Sequence, residues 1–135
     1  MRVLALDYGV ARIGCAISDP SGTLARPLPV IEPPEPRSVE ELVSEHGVER
    51  VVVGLPLHLS GEEGAQAQLT RGFCAELEAL LEVPVETYDE RLTTKMAEAS
   101  RREGATAAAD SLAAAHLLEA YLAGRGATEE SADDG

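Results

Sequence analysis

Val51-Val52-Val53-Gly54 is an unbroken apolar run between Arg50 and the loop that starts at Leu55-Pro56. A strand with one wet face alternates apolar and polar residues; a strand without polar residues is covered on both faces. This run therefore calls for a sheet with helices above and below it. The chain offers four helices. Ser38, with Glu41 in capping-box spacing, opens one that runs to about His46 and stops at Gly47. Residues 64–82 carry Leu69, Phe73, Leu77 and Leu80 at helical spacing. A third helix spans about Thr94 to Arg102. A closing one covers about 106–123, with Ala114, Leu117, Leu118 and Tyr121 on one face, before Gly124 and Gly126.

The strands come in a telling order. Residues 2–7 and 12–18 are apolar runs joined by a turn at Tyr8-Gly9-Val10-Ala11, and Asp19-Pro20-Ser21-Gly22 turns the chain again. Residues 23–31 hold Pro27 and Pro29, which cannot donate to a ladder, so this third strand belongs at an edge. Glu32-Pro33-Pro34-Glu35-Pro36 is a rigid connector. After Val51–Gly54, Pro84–Tyr88 forms a short strand ending on Asp89-Glu90-Arg91. The order predicts an α/β fold: three antiparallel strands, then two parallel strands, with helices on both faces. One domain over 1–124 and a disordered acidic tail over 125–135 are expected.

Composition narrows the function. Hydrophobic residues are 44% of the chain but aromatics only 3%, so the core is aliphatic and few rings can stack on bases. The net charge of −13 opposes tight electrostatic binding of a polyanion unless cations bridge the two. Cys15 and Cys74 fall on apolar faces, as expected of buried thiols in a reducing compartment. No run approaches the ~18 apolar residues of a membrane span, and no signal peptide is expected, since strand-like residues lead directly to Asp7. A cytoplasmic protein is expected.

Open sheets bind ligands outside the carboxyl ends of their parallel strands. Asp7 ends the first strand, Asp89 and Glu90 end the last, and Asp110 lies in the first turn of the closing helix. Carboxylates crowded this way repel one another unless a cation joins them. Divalent cations held by such oxygens neutralise a phosphodiester and activate water. Taken singly, each acid is more often a turn, a cap or a surface ion pair, and only their joint placement favours a cation site. Arg12, beside the Asp7 turn, suits either a phosphate contact or an ion pair with Asp7 or Asp89. His58, on the loop flanking the site, could shuttle a proton. Lys95, Arg101 and Arg102 form the only local basic stretch.

Four segments in order carry a resemblance: Asp7-Tyr8-Gly9-Val10-Ala11-Arg12-Ile13-Gly14, Val53-Gly54-Leu55-Pro56, Asp89-Glu90-Arg91-Leu92-Thr93-Thr94, and Asp110-Ser111-Leu112-Ala113-Ala114. Together they resemble the YqgF/RuvX family, of ribonuclease-H-like fold and related to the RuvC Holliday junction resolvases. The likeness covers about residues 1–123. It implies a nuclease using Mg²⁺ or Mn²⁺, with two ions, acting on the 5′ end of pre-16S ribosomal RNA or on branched DNA. It implies Asp7 and Asp110 as metal ligands, Glu90 as the third acid with Asp89 as its alternate, and Arg91 facing the scissile phosphate. Arg12 and His58 are expected near the substrate. The protein would act as a monomer or homodimer. Two departures stand out: His58 and Ser60 replace the family's usual Asn and Asp, and Gly104–Ala109 lacks its usual lysines. These changes leave open a nucleic-acid or ribosome-assembly module without catalysis. The Asp7-x-Gly9 hairpin also resembles the phosphate loop of actin-like folds, which need two domains to close on ATP.

Overall fold

The computed structural model describes residues 1–92 and 107–133. The expected helix from Thr94 to Arg102, with Lys95, Arg101 and Arg102, lies outside them. Five strands form one sheet: β1 (Val3–Tyr8), β2 (Ile13–Ser18), β3 (Ala25–Ile31), β4 (Arg50–Leu55) and β5 (Val85–Asp89). Their order is β3-β2-β1-β4-β5. The β1–β2 and β2–β3 pairs are antiparallel, while β1–β4 and β4–β5 are parallel. The proline-bearing β3 is an edge, as its missing donors require.

Side chains alternate across this sheet and define two cores. Leu4, Leu6, Cys15, Ile17, Val51 and Val53 face α1 (Pro36–His46) and α2 (Ala65–Leu80), where Val39, Phe73 and Leu77 meet them. Val3, Ala5, Ala16 and Val52 face the closing helix α3 (Ala107–Asp133) and pack on Ala114, Leu117, Leu118 and Tyr121. Each fully buried leucine contributes roughly 1.5–3 kcal/mol. Alanines at 113, 114 and 115 let α3 lie close to the sheet.

Three local expectations are corrected. Helix α1 starts two residues before Ser38, with Pro36 in its first turn and Glu35 at the N-cap without a side-chain bond. Proline suits that position because its φ is preset and its absent N–H would have no partner there. The predicted stop holds: Gly47 adopts a left-handed conformation at φ 64°. In α2 the inward stripe is Ala67, Thr70, Phe73, Cys74 and Leu77, while Leu69 is half exposed. Thr70 can be buried because its hydroxyl donates to the Gln66 carbonyl at 2.9 Å. Finally, the α3 backbone continues past Gly124 and Gly126 to Asp133, beyond the helix end expected near 123. Glycine costs a helix only about 1 kcal/mol, which weakens it without ending it.

Burial holds both cysteines as thiols, pushing Cys15 up to about 12 and Cys74 up to about 11. The β2–β3 turn is built on Asp19, whose carboxylate accepts from the Ser21 hydroxyl (2.7 Å) and from the backbone N–H groups of Thr23 (2.7 Å) and Leu24 (3.0 Å). The Ser21 bond, then the backbone bonds, lower its pKa to about 2. A carboxyl depressed on folding stabilises above its unfolded value of about 3.9, and that stability is lost as pH falls through the folded value. Asp19→Asn should therefore flatten the pH dependence of stability between about pH 4 and 2, measured by urea denaturation at fixed pH.

Candidate active site

The parity that builds the cores also sorts the acids. Val3, Ala5 and Asp7 share the α3 face of β1, and Val52 and Gly54 share that face of β4. On β5, Glu86 and Tyr88 point the same way, since both meet Tyr121 of α3. Glu90, two residues on, lies over Gly54: a Cβ on Gly54 would stand 3.0 Å from Glu90 Cγ and 3.2 Å from its Oε1. Asp7, Glu90 and Asp110 are thus all on one face, at the carboxyl ends of the parallel strands.

Asp89 has the opposite parity. It pairs with Leu55 in the β4–β5 register. Its carboxylate accepts from Arg91 Nε to both oxygens at 3.0 Å, from Arg91 Nη2 at 2.6 Å, and from the Arg91 backbone N–H at 2.9 Å. This pairing holds the Asp89 carboxyl below the usual carboxylate range and raises Arg91. Arg91 Nη1 also donates to the Leu59 carbonyl at 3.2 Å, tying the loop after β4 to the short 3₁₀ turn Glu90–Leu92. Asp89 therefore fixes the guanidinium, and Glu90 is the acid of this pair that faces α3.

Asp110 is delivered by close packing. Gly14, opposite Asp7 in the β1–β2 register, leaves room for the helix start. A Cβ there would fall 2.2 Å from the Asp110 carbonyl oxygen. Next along, buried Ser111 donates to the Leu28 carbonyl at 2.5 Å and accepts from the Cys15 N–H at 3.4 Å. The β2–β3 register shifts between Ile13 and Cys15, and the hydroxyl bridges the two strands just past that irregularity. Gly14, Gly54 and Ser111 build the site, a role that the motifs containing them did not reveal. A glycine inside a strand is the signal that could have pointed to the first two, since it often marks close approach.

Arg12 pairs with a partner that its sequence neighbourhood did not suggest. Its Nε donates to Asp110 Oδ2 at 2.5 Å, across 98 residues of chain. That bond, opposed by some desolvation, raises the Arg12 pKa, with Asp110 and Glu32 adding charge attraction. Asp7, Tyr8, Gly9, Val10, Ala11, Arg12 and Asp110 line a cavity of about 250 Å³. His58 sits on the loop closed by the Leu57–Glu63 bridge, and its Nε2 would lie 2.6 Å from a Cβ on Gly64, at the start of α2. The structure thus places it against α2.

These residues fit a divalent cation by donor chemistry. Asp7, Glu90 and Asp110 offer hard oxygens, and Gly54 and Gly14 let Glu90 and Asp110 sit close on the sheet. Among the described residues, however, no three His, Cys, Asp or Glu side chains stand close enough to close on one ion. Asp110 is drawn to Arg12 instead.

A family model described as "RuvX: Holliday junction resolvase" matches residues 1–124, nearly the whole of this sheet and its helices. The chain belongs to the RuvX family. A relative from Chloroflexus aurantiacus, named "Putative pre-16S rRNA nuclease", is 45% identical, over 91% of this chain and 87% of its own. One of the same name from Rubrobacter xylanophilus is 46% identical, over 90% of this chain and 91% of its own. Among solved structures, RuvC of T. thermophilus in complex with a Holliday junction superposes with a TM-score of 0.59 at 21% identity, covering 93% of this chain and 96% of RuvC. That likeness establishes the RuvC-like, ribonuclease-H-like fold of this RuvX protein. No helix among the described residues is long and apolar enough to cross a membrane.

Proposed function

We propose that this RuvX protein is a divalent-metal-dependent nuclease that trims the 5′ end of pre-16S rRNA in the cytoplasm. The observation that carries the reading is the shared face of Asp7, Glu90 and Asp110 at the carboxyl ends of β1, β5 and the start of α3. RNA is favoured over branched DNA by the names of relatives at 45% and 46% identity.

Bound Mg²⁺ or Mn²⁺, as two ions, would neutralise the phosphodiester and lower the pKa of a water. Asp7, Glu90 and Asp110 would hold them. Arg91, set by Asp89, steadies charge that develops on phosphorus oxygens. In this reading Asp89 is a positioning residue and not a ligand. Arg12 contacts the substrate phosphate, and His58 borders the substrate path on the loop that Arg91 anchors. With a net charge of −13, the protein relies on cations for grip, so binding should fall when they are chelated.

The test is a cleavage assay on a pre-16S leader RNA and a four-way DNA junction, with and without Mg²⁺. Cleavage of the leader alone, lost in EDTA, is expected. Cutting of the junction alone would replace the RNA reading with resolution. A junction has two symmetric strands to cut and calls for a dimer, whereas leader trimming needs only a monomer; sedimentation distinguishes these states.

A further inference from the structure

We infer that Arg12 is a built-in counter-ion for the cation site: it holds Asp110 in the metal-free protein and exchanges that carboxylate for a divalent cation on loading. The inference deepens the nuclease reading and rests on it.

Two observations support it. First, the guanidinium is bonded to the very carboxylate that the reading assigns to a metal, at 2.5 Å. Second, Arg12, Asp7 and Asp110 line one cavity of about 250 Å³. A water takes about 30 Å³ of liquid, so a cation with several waters fits once the guanidinium withdraws.

Asp110 is held in place by the close packing of its backbone on Gly14 and by the Ser111 bond to Leu28, so its carboxylate stays at the cavity whichever cation faces it. A guanidinium supplies one positive charge and a divalent ion two, so the ion can displace it. The pair is only partly covered, with side chains 22% and 25% exposed, and exchange therefore carries a small barrier of lost solvation. Glu32 also favours a charged Arg12 and offers a second attraction once Asp110 is taken. A guanidinium released to the rim then suits a phosphate, which it can grip with two parallel N–H bonds. The sequence expectation of a phosphate contact and the ion pair seen here thus become two states of one side chain.

The test is Mn²⁺ binding by calorimetry to the full-length chain and to Arg12→Gln. Removing the competing charge should tighten Mn²⁺ binding about two- to fivefold, while cleavage at saturating Mn²⁺ falls. Unchanged or weaker Mn²⁺ binding in Arg12→Gln overturns the inference. Asp110→Asn separates this from failure of the underlying reading. If that variant binds Mn²⁺ as the parent does, the cation site itself is misplaced. If it binds weakly while Arg12→Gln is unchanged, only the counter-ion role fails. A second measurement needs no variant: the Arg12 Nε–H resonance should shift and exchange faster with solvent as Mg²⁺ saturates the protein. A resonance that ignores saturating Mg²⁺ would equally refute the exchange.

Discussion

Asp110→Asn and Asp7→Asn should each lower leader cleavage by roughly 10³-fold or more, equivalent to about 4 kcal/mol of lost transition-state stabilisation. The amide keeps the shape of the acid and removes its charge, so the loss reports charge at the cation site. Stability should change far less. Asp110 and Arg12 are partly exposed, and water screens an ion pair of that kind. The melting temperature should therefore shift by only a few degrees. Asp89→Asn should behave differently. It loosens Arg91 and leaves the three acids of the α3 face in place, so Mn²⁺ affinity should hold while turnover drops. Equal loss of Mn²⁺ binding in the position 89 and position 110 variants would show that parity on β5 does not sort these acids.

The second large effect comes from a methyl group. In Gly14→Ala the new Cβ would lie 2.2 Å from the Asp110 carbonyl oxygen and 2.5 Å from its carbon. Both are backbone atoms and cannot rotate aside. The start of α3 must back away from β2, stretching the Ser111 bridge to Leu28 and Cys15. Overpacking of this kind costs about 1–3 kcal/mol. The displacement also moves Asp110 from Asp7, and a shift near 1 Å can cost about 10²-fold in rate. Gly72 provides the contrast. It lies within α2, and a Cβ added there would meet nothing within 4 Å. Gly72→Ala should be neutral or stabilise by about 0.5–1 kcal/mol. Thermal melts and cleavage rates of the two variants, side by side, check both expectations.

The sheet was legible because its signals are local. Apolar runs, the Asp19 turn and the prolines of β3 act within a few residues, and the apolar run Val51–Gly54 within β4 foretold helices on both faces. Helix edges were less legible where two local signals compete. Ser38 looks like a cap, but Pro36 enters the helix first. Leu69 is apolar, yet the stripe that meets the sheet is set by how α2 lies against it, and this favours Ala67 and Thr70. The site was legible in kind but not in detail. Strand parity separates Glu90 from Asp89, yet it can be applied only once the register of β5 on β4 is known. The Arg12–Asp110 pair joins residues far apart in sequence, which no local pattern encodes. The same holds for Ser111, whose partners lie on two other strands.

Anomalous diffraction from crystals soaked in Mn²⁺ probes the shared-face cation site without relying on a substrate. The expected peak lies at ligand distance, about 2.0–2.6 Å, from carboxylate oxygens of Asp7, Asp110 and Glu90, with the Arg12 guanidinium turned away from Asp110. A peak bound by Asp89, or no peak on the α3 face while Arg12 still holds Asp110, would contradict both the cation site and the exchange proposed for it.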